Sequence, residues 1–130
     1  MTTDKWSEYW INEGASGEVF VNKDGDKHPY LTSYWQTQFS GIDGTSMIID
    51  VASGAGSIFS HLPQDHEFLL FGADLSLDAL QLMRERLPIT HIVACSSDLL
   101  PFSERSFDLV VSQFGVEYAG EDAFVEAAKL

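Results

Sequence analysis

Three aspartates stand where an apolar run gives way to a turn: Asp50 in "MIIDVASGAG", Asp74 in "FLLFGADLS" and Asp98 in "ACSSDLLPF". After the first, Ala52, Ser53, Gly54, Ala55 and Gly56 form a stretch almost without side-chain bulk. So bare a stretch lets a ligand come within touching distance of the backbone, and the free N–H groups at a following helix start face the same place. Asp74 lies twenty residues after Gly54. There a carboxylate can accept hydrogen bonds from both hydroxyls of a ribose, each worth roughly 1.5–3 kcal/mol. Asp98 can accept from an amino group on a base, with the Leu99 N–H serving a ring nitrogen. Each has a plainer reading: Asp74 as a cap of the next helix near Ser76, Asp98 as a loop aspartate. The ordered set favours a ribosyl ligand.

The turn also says which ribosyl ligand fits less well. A dinucleotide fingerprint, G-x-G-x-x-G, needs a third glycine so that helix and strand can pack closely. Three residues after Gly56 stands Phe59, which argues against an NAD-dependent enzyme, and no G-K-[ST] follows to make a phosphate loop. His28, His61, His66 and His91 have no metal-ligand spacing. Cys95 sits inside a strand-like run and reads as core rather than nucleophile.

These residues need a scaffold that brings strand ends side by side. "MIIDV", "FLLFGAD" (68 to 74), "THIVAC" (90 to 95) and "FDLVVSQF" (107 to 114) are strand-like runs rich in β-branched and aromatic residues. Between them "SIFSHL" has helical spacing and is closed by Pro63. Ser76 can cap "LDALQLMRERL", whose apolar face is Leu77, Leu80, Leu82, Met83 and Leu87. "EDAFVEAAKL" reads as a final helix. The alternation predicts an α/β protein with a Rossmann-like open parallel sheet over residues 47–130.

Residues 1–46 form a separate, aromatic-rich helical segment. Trp6, Tyr9, Trp10 and Glu13 have helical spacing that Gly14 stops, a turn falls at Asp24-Gly25, and a second helix begins near Pro29 with Tyr30, Tyr34 and Phe39 along one side. These aromatics can pack one side of the sheet or form a lid over a cleft.

With 130 residues the chain is long enough to bury roughly two-thirds of its unfolded surface as one unit. Twenty acidic against seven basic side chains give a formal net charge of −13. The basic residues are scattered, so nucleic acid and anionic membranes are poor partners. No run reaches signal-peptide length or the ~20 apolar residues of a membrane span. The single cysteine fits a reduced, cytoplasmic setting.

"IIDVASGAG", "FGADLS" and "SSDLLPFSERSFDLVVSQFGVEYA" together resemble the successive motifs of class I S-adenosylmethionine-dependent methyltransferases, nearest the small-molecule group that includes quinone-biosynthesis enzymes. The likeness covers about residues 47 to 119. It implies S-adenosylmethionine as cofactor, its methionine part lined by Asp50, Ala52, Ser53, Gly54 and Gly56. It assigns ribose to Asp74, adenine to Leu75, Asp98 and Leu99, and the border of the reacting methyl to Gln113 and Phe114.

Methyl transfer from a sulfonium is an in-line displacement in which the protein contributes mainly alignment. Trp10, Tyr30, Tyr34 or Tyr118 can stabilise the cation, and His28 or Glu117 can serve as base where the acceptor carries a proton of high pKa. "QFGVEY" lacks the Asn/Asp-Pro-Pro-Tyr arrangement used on nucleic-acid bases, which with the acidity implies a small-molecule acceptor.

Two departures stand out. Ala52 occupies the place of the family's usual first glycine, a change that a turn with φ below zero tolerates. The chain also ends at Leu130, where the family continues through three more strands, so a strand as apolar as "FDLVVSQF" is left as an open edge. Truncation, a homodimer covering the edge, and a natural short relative each account for this, the first two best. A non-catalytic cofactor-binding or dimerisation module is the alternative function.

Overall fold

The computed structural model describes residues 29–113 and 121–130. The expected helix over Trp6 to Glu13, the turn at Asp24-Gly25, and His28, Phe114, Glu117 and Tyr118 lie outside them.

Met47–Val51 forms β1 over the predicted span, because Ile48, Ile49 and Val51 point to opposite faces and all are fully buried. Leu69–Asp74 (β2) pairs with it in parallel, with Ile48 opposite Leu70 and Asp50 opposite Gly72. His91–Ala94 (β3) joins the far side of β2, and Leu109–Val111 (β4) the other side of β1, also in parallel. The order is therefore β3-β2-β1-β4. The chain steps outward from β1 to β3, then returns across the sheet to β4.

The last two strands are shorter than their apolar runs. At the start of "FDLVVSQF", the Phe107 N–H bonds to the Leu130 carbonyl rather than to a strand. The Asp108 N–H then donates to Met47 O, and the Met47 N–H to Asp108 Oδ2 at 2.8 Å, which fixes the register of β4 on β1. At β3, the Thr90 N–H is engaged by Leu87 O at the end of the preceding helix.

That helix, α2 (Leu77–Arg86), begins as expected: Ser76 is its N-cap and its Oγ accepts the Ala79 N–H at 3.2 Å. Leu80 and Met83 are buried, whereas Leu77, expected on the same face, is 51% exposed. In place of the helix expected over "SIFSHL" there is a single 3-10 turn, Phe59–His61. Pro63 forces Leu62 into an extended conformation and leaves no room for a second turn.

α1 (Pro29–Ser40) starts at the expected proline but presents a different face. Trp35 and Phe39, four apart, are buried, while Tyr30 and Tyr34 are 70% and 45% exposed. Leu31 and Thr32 continue the Trp35–Phe39 row as half-buried residues.

Alternating residues of each strand feed two apolar layers. On one face Ile48, Leu70, Phe59, Leu80 and Met83 pack with Trp35 and Phe39 of α1. On the other, Ile49, Val51 and Ala73 pack with Leu100 and with Ala123 and Leu130, which α3 (Glu121–Lys129) brings over the sheet. Burying each of the large side chains is worth about 1.5–3 kcal/mol, and both layers leave the carboxyl ends of β1 and β2 rigidly placed.

Candidate functional site

The crossover between β1 and β4 puts the point of strand reversal at the carboxyl end of β1, where ligands of open α/β sheets sit. The bare stretch begins there. Ala52, Gly54 and Gly56 have φ of +57°, +56° and +88°. Ala52 thus adopts the left-handed conformation, against the expectation of a φ below zero. The ladder sets it: Ser53, the next residue, donates its N–H to Ala73 O of β2 at 3.0 Å, so the chain must turn sharply at Ala52 to stay in register.

Asp74, last residue of β2, closes the turn. Its Oδ2 accepts the Gly54 N–H and its Oδ1 the Ser76 N–H, each at 2.8 Å. One carboxylate therefore ties the glycine turn to the start of α2, so that it serves the helix start, as the plainer reading held, and the turn as well. Burial pushes its pKa above the ordinary carboxylate value, and the Ser76, Gly54 and Leu75 N–H groups pull the other way.

Asp50 lies under the turn on the same sheet face, and is 1% exposed. Among the described residues neither of its oxygens has a hydrogen-bond partner. Burial first, and the neighbouring Asp74 charge second, hold its carboxyl well above the usual range.

The underside of the turn is shaped by α2. A Cβ on Gly56 would stand 2.8 Å from Met83 Cγ, and one on Gly72 would stand 2.6 Å from Met83 Sδ. Both glycines make room for the one methionine. The Arg86 guanidinium donates to Ala55 O at 2.8 Å and fixes the middle of the turn.

The remaining expected residues are placed less tightly. Gln113, just past β4, accepts from Trp35 Nε1 and donates to Ser57 Oγ at 3.4 Å, so it joins α1 to the residue after Gly56. Leu75 is 39% and Leu99 76% exposed. Asp98 is exposed beyond β3 and accepts from Ser96 Oγ, and the Leu99 N–H closes that turn on Ser96 O at 3.1 Å. Asp50, Ser53, Gly54 and Asp74 are thus brought together, with Gln113 beside Ser57, while Asp98 and Leu99 occupy a separate turn one strand over.

A hollow of about 450 Å³ lies elsewhere, lined by Phe39, Leu62, Pro63, His66 and Phe68 among others, at the amino end of β2. No group of three or more His, Cys, Asp or Glu among the described residues is placed to hold a metal ion. No helix among them is long and apolar enough to cross a membrane.

Comparison with known proteins decides the family. The sequence profile described as "Methyltransferase domain" matches residues 48–130, from the second residue of β1 to the end of the chain. The chain belongs to the methyltransferase domain family.

This methyltransferase-family chain is 32% identical over 69 residues to the demethylmenaquinone methyltransferase of Chlorobaculum tepidum, covering 53% of this chain and 28% of that protein. It is 32% identical over 76 residues to the mitochondrial arginine-hydroxylase NDUFAF5 of Mus musculus, covering 58% and 22%. The matched segment thus spans less than a third of either relative. Among solved structures, phosphoethanolamine N-methyltransferase 2 of Haemonchus contortus, in complex with S-adenosyl-L-methionine, superposes with a TM-score of 0.70 at 16% identity, over 95% of this chain and 32% of that one. The [4+2]-cyclase SpnF superposes with a TM-score of 0.76 at 16% identity, over 98% and 54%. These two likenesses establish the Rossmann-like methyltransferase fold.

Sequence reading missed Met83 as the filler of two glycine hollows, Arg86 as the tie to Ala55, and Trp35 as the partner of Gln113. Gly72 was a legible signal, since an isolated glycine in a strand marks a close approach. Arg86 gave none, because an arginine in the last turn of a helix is ordinary.

Proposed function

We propose that this chain is the cofactor-binding portion of an S-adenosylmethionine-dependent methyltransferase that acts on a small-molecule acceptor. The observation that carries the reading is the Asp74 carboxylate, anchored to Gly54 and Ser76 beside a turn of small residues. A carboxylate has about four lone-pair sites. The Gly54 and Ser76 N–H groups take one site on each oxygen and the Leu75 N–H acts on the same carboxylate, which leaves acceptor capacity for a ribose hydroxyl.

The fit extends along the turn. Gly54 presents backbone with no Cβ beside Gly56, which makes room for Met83 beneath the turn, and Asp50 offers two buried oxygens without a partner among the described residues. Both suit the polar amino-acid end of S-adenosylmethionine, with adenine directed towards Leu75, Asp98 and Leu99. When bound, the cofactor supplies a methyl group activated on a sulfonium. The chain's own residues bind and orient it, Gln113 and Phe114 bordering the methyl. The relatives support this assignment through demethylmenaquinone methyltransferase and the S-adenosyl-L-methionine complex. A net charge of −13 with scattered lysines and arginines supports a small acceptor over nucleic acid, and the single cysteine suits a reduced, cytoplasmic setting.

A second reading is a cofactor-binding or assembly module without transferase activity, residues 1–46 forming an aromatic flank to the domain of 47–130. Two observations favour it: β4 has no strand on its outer side among the described residues, and the relatives include a hydroxylase and a cyclase. A homodimer that pairs two β4 edges belongs to this reading.

Calorimetry with S-adenosylhomocysteine tests the first reading. Binding to the wild type that weakens at least tenfold in Asp74→Ala is expected. No heat of binding to a folded protein refutes it. Light scattering across concentration tests the dimer, which a constant monomer mass excludes.

A further inference from the structure

We propose that the hollow at the amino end of β2 is a second ligand site, which takes a small aromatic amine with its ring against Phe39 and Phe68 and its ammonium held by Asp65 and Glu67. This site stands apart from the cofactor reading. Leu69–Asp74 separates it from the glycine turn by about 17 Å, at roughly 3.3 Å per residue.

The hollow exists because the layer above the sheet is incomplete. α1 spans that layer: Trp35 bonds to Gln113 beyond the carboxyl end of β4, and Phe39 meets Phe68 at the amino end of β2. Beside α1 the 3-10 turn ends at Leu62, and residues 62–68 carry the chain to the start of β2 without a helix. A run of this kind is narrower than the ~10–12 Å of a helix with its side chains. The space it leaves measures about 450 Å³, within the roughly 300–1,000 Å³ of small-molecule sites.

The lining is apolar beneath and acidic at the rim. Phe39 belongs to the core, and Leu62, Pro63 and Phe68 line the hollow beside it. The Phe39 and Phe68 rings stand 6.0 Å apart at 43°, and His66 stacks on Phe68 at 5.7 Å and 23°. Rings at such angles suit a further ring placed edge-on or offset. Asp65 and Glu67 are exposed lining residues, and neither forms an ion pair among the described residues. No lysine or arginine lines the space, and the net charge of −13 draws cations towards it. An anion, phosphate included, meets two carboxylates there. An ammonium gains both of them and the aromatic faces.

His66 completes the match. Its Nδ1 accepts the Phe68 N–H at 3.2 Å, so the neutral ring carries its proton on Nε2. Burial lowers its pKa, against the Asp65 charge that raises it. An uncharged imidazole does not compete with the ligand ammonium for Asp65 and Glu67.

Amide shifts of the full chain during titration with tryptamine test the proposal, with indole-3-propionate as a probe of similar shape and opposite charge. Saturable shifts at Phe39, Leu62, His66 and Phe68 are expected with tryptamine, while Gly54 and Asp74 stay unmoved. The anion should bind roughly tenfold more weakly or less. Asp65→Asn combined with Glu67→Gln should weaken tryptamine binding about five- to tenfold, the worth of two exposed ion pairs. Gly44→Trp should abolish it in a chain that still folds. Gly44 lines the hollow, its φ is not left-handed, and a Cβ there meets nothing within 4 Å. Equal affinity for the two probes overturns the assignment to an amine. Shifts elsewhere, none at millimolar tryptamine, or wild-type affinity in Gly44→Trp with an unchanged melt overturn the site itself. Concentration-dependent shifts at the same residues without probe mean that a second copy sits there, and cross-peaks to residues 1–28 mean that the chain's own segment does; either result also overturns the proposal.

Discussion

Ala52 is the one residue of the site held in a conformation its side chain resists, so replacing it with glycine gives a sharp prediction. Its φ is +57°, where a Cβ crowds the following carbonyl and costs about 1–2 kcal/mol. Glycine removes that crowding but loses more backbone freedom on folding, about 0.5–1 kcal/mol relative to alanine. Ala52→Gly should therefore stabilise the chain by about 0.5–1 kcal/mol. For a domain of this size that is roughly 2–4 °C in Tm. Ala52→Val takes the same φ with a branched side chain and should destabilise by more than 1 kcal/mol. Urea denaturation with a constant m-value separates a stability change from a changed unfolded state. Should Ala52→Gly lower the midpoint while Ala52→Val leaves it alone, the left-handed turn is wrong and the register argument behind it fails.

Other perturbations test the neighbouring contacts. Gly56→Ala should cost about 2–3 kcal/mol, because φ is +88° and the new Cβ meets Met83 Cγ at 2.8 Å. Gly72→Ala meets the far end of Met83, so Met83→Ala should relieve most of its clash but only part of the cost of Gly56→Ala, whose strain at a φ of +88° remains, measured as double-mutant cycles. Ser76→Ala removes the cap that accepts the Ala79 N–H and should lower stability by about 1 kcal/mol in thermal melts. The folded-state pKa of Asp50 is raised, so its contribution to stability is complete below its unfolded value and is lost as pH rises through the folded one. The Tm of Asp50→Asn minus that of the wild type should therefore increase from about pH 4 upward, and a pH-independent difference contradicts a raised pKa.

Periodicity was enough for the scaffold because the two central strands, β1 and β2, are buried by local pattern. Ile48, Ile49 and Val51 announce a strand covered on both faces, and Ser76 announces the helix that follows β2. The glycine turn and Asp74 were legible for the same local reason, since their spacing is itself the signal. What escaped the sequence depends on packing between distant segments. Trp35 rather than Tyr34 enters the core because the sheet face selects one row of α1. β4 shortens because Leu130, 23 residues on, takes the Phe107 N–H. The left-handed Ala52 follows from the Ser53 to Ala73 bond across the sheet, which no property of alanine foretells. Asp50 looked like one more lining residue until its two oxygens proved to be buried without partners.

The central claim is that the ends of β1 and β2, bridged by Asp74, hold an adenosyl ligand. Backbone amide shifts followed by NMR during titration with S-adenosylhomocysteine test it most directly. The account predicts saturable shifts at Ala52, Ser53, Gly54, Gly56, Asp74, Leu75 and Leu99, with the residues around the Phe39–Leu62–Phe68 hollow unmoved. Shifts confined to that hollow, or none at saturating ligand, contradict it.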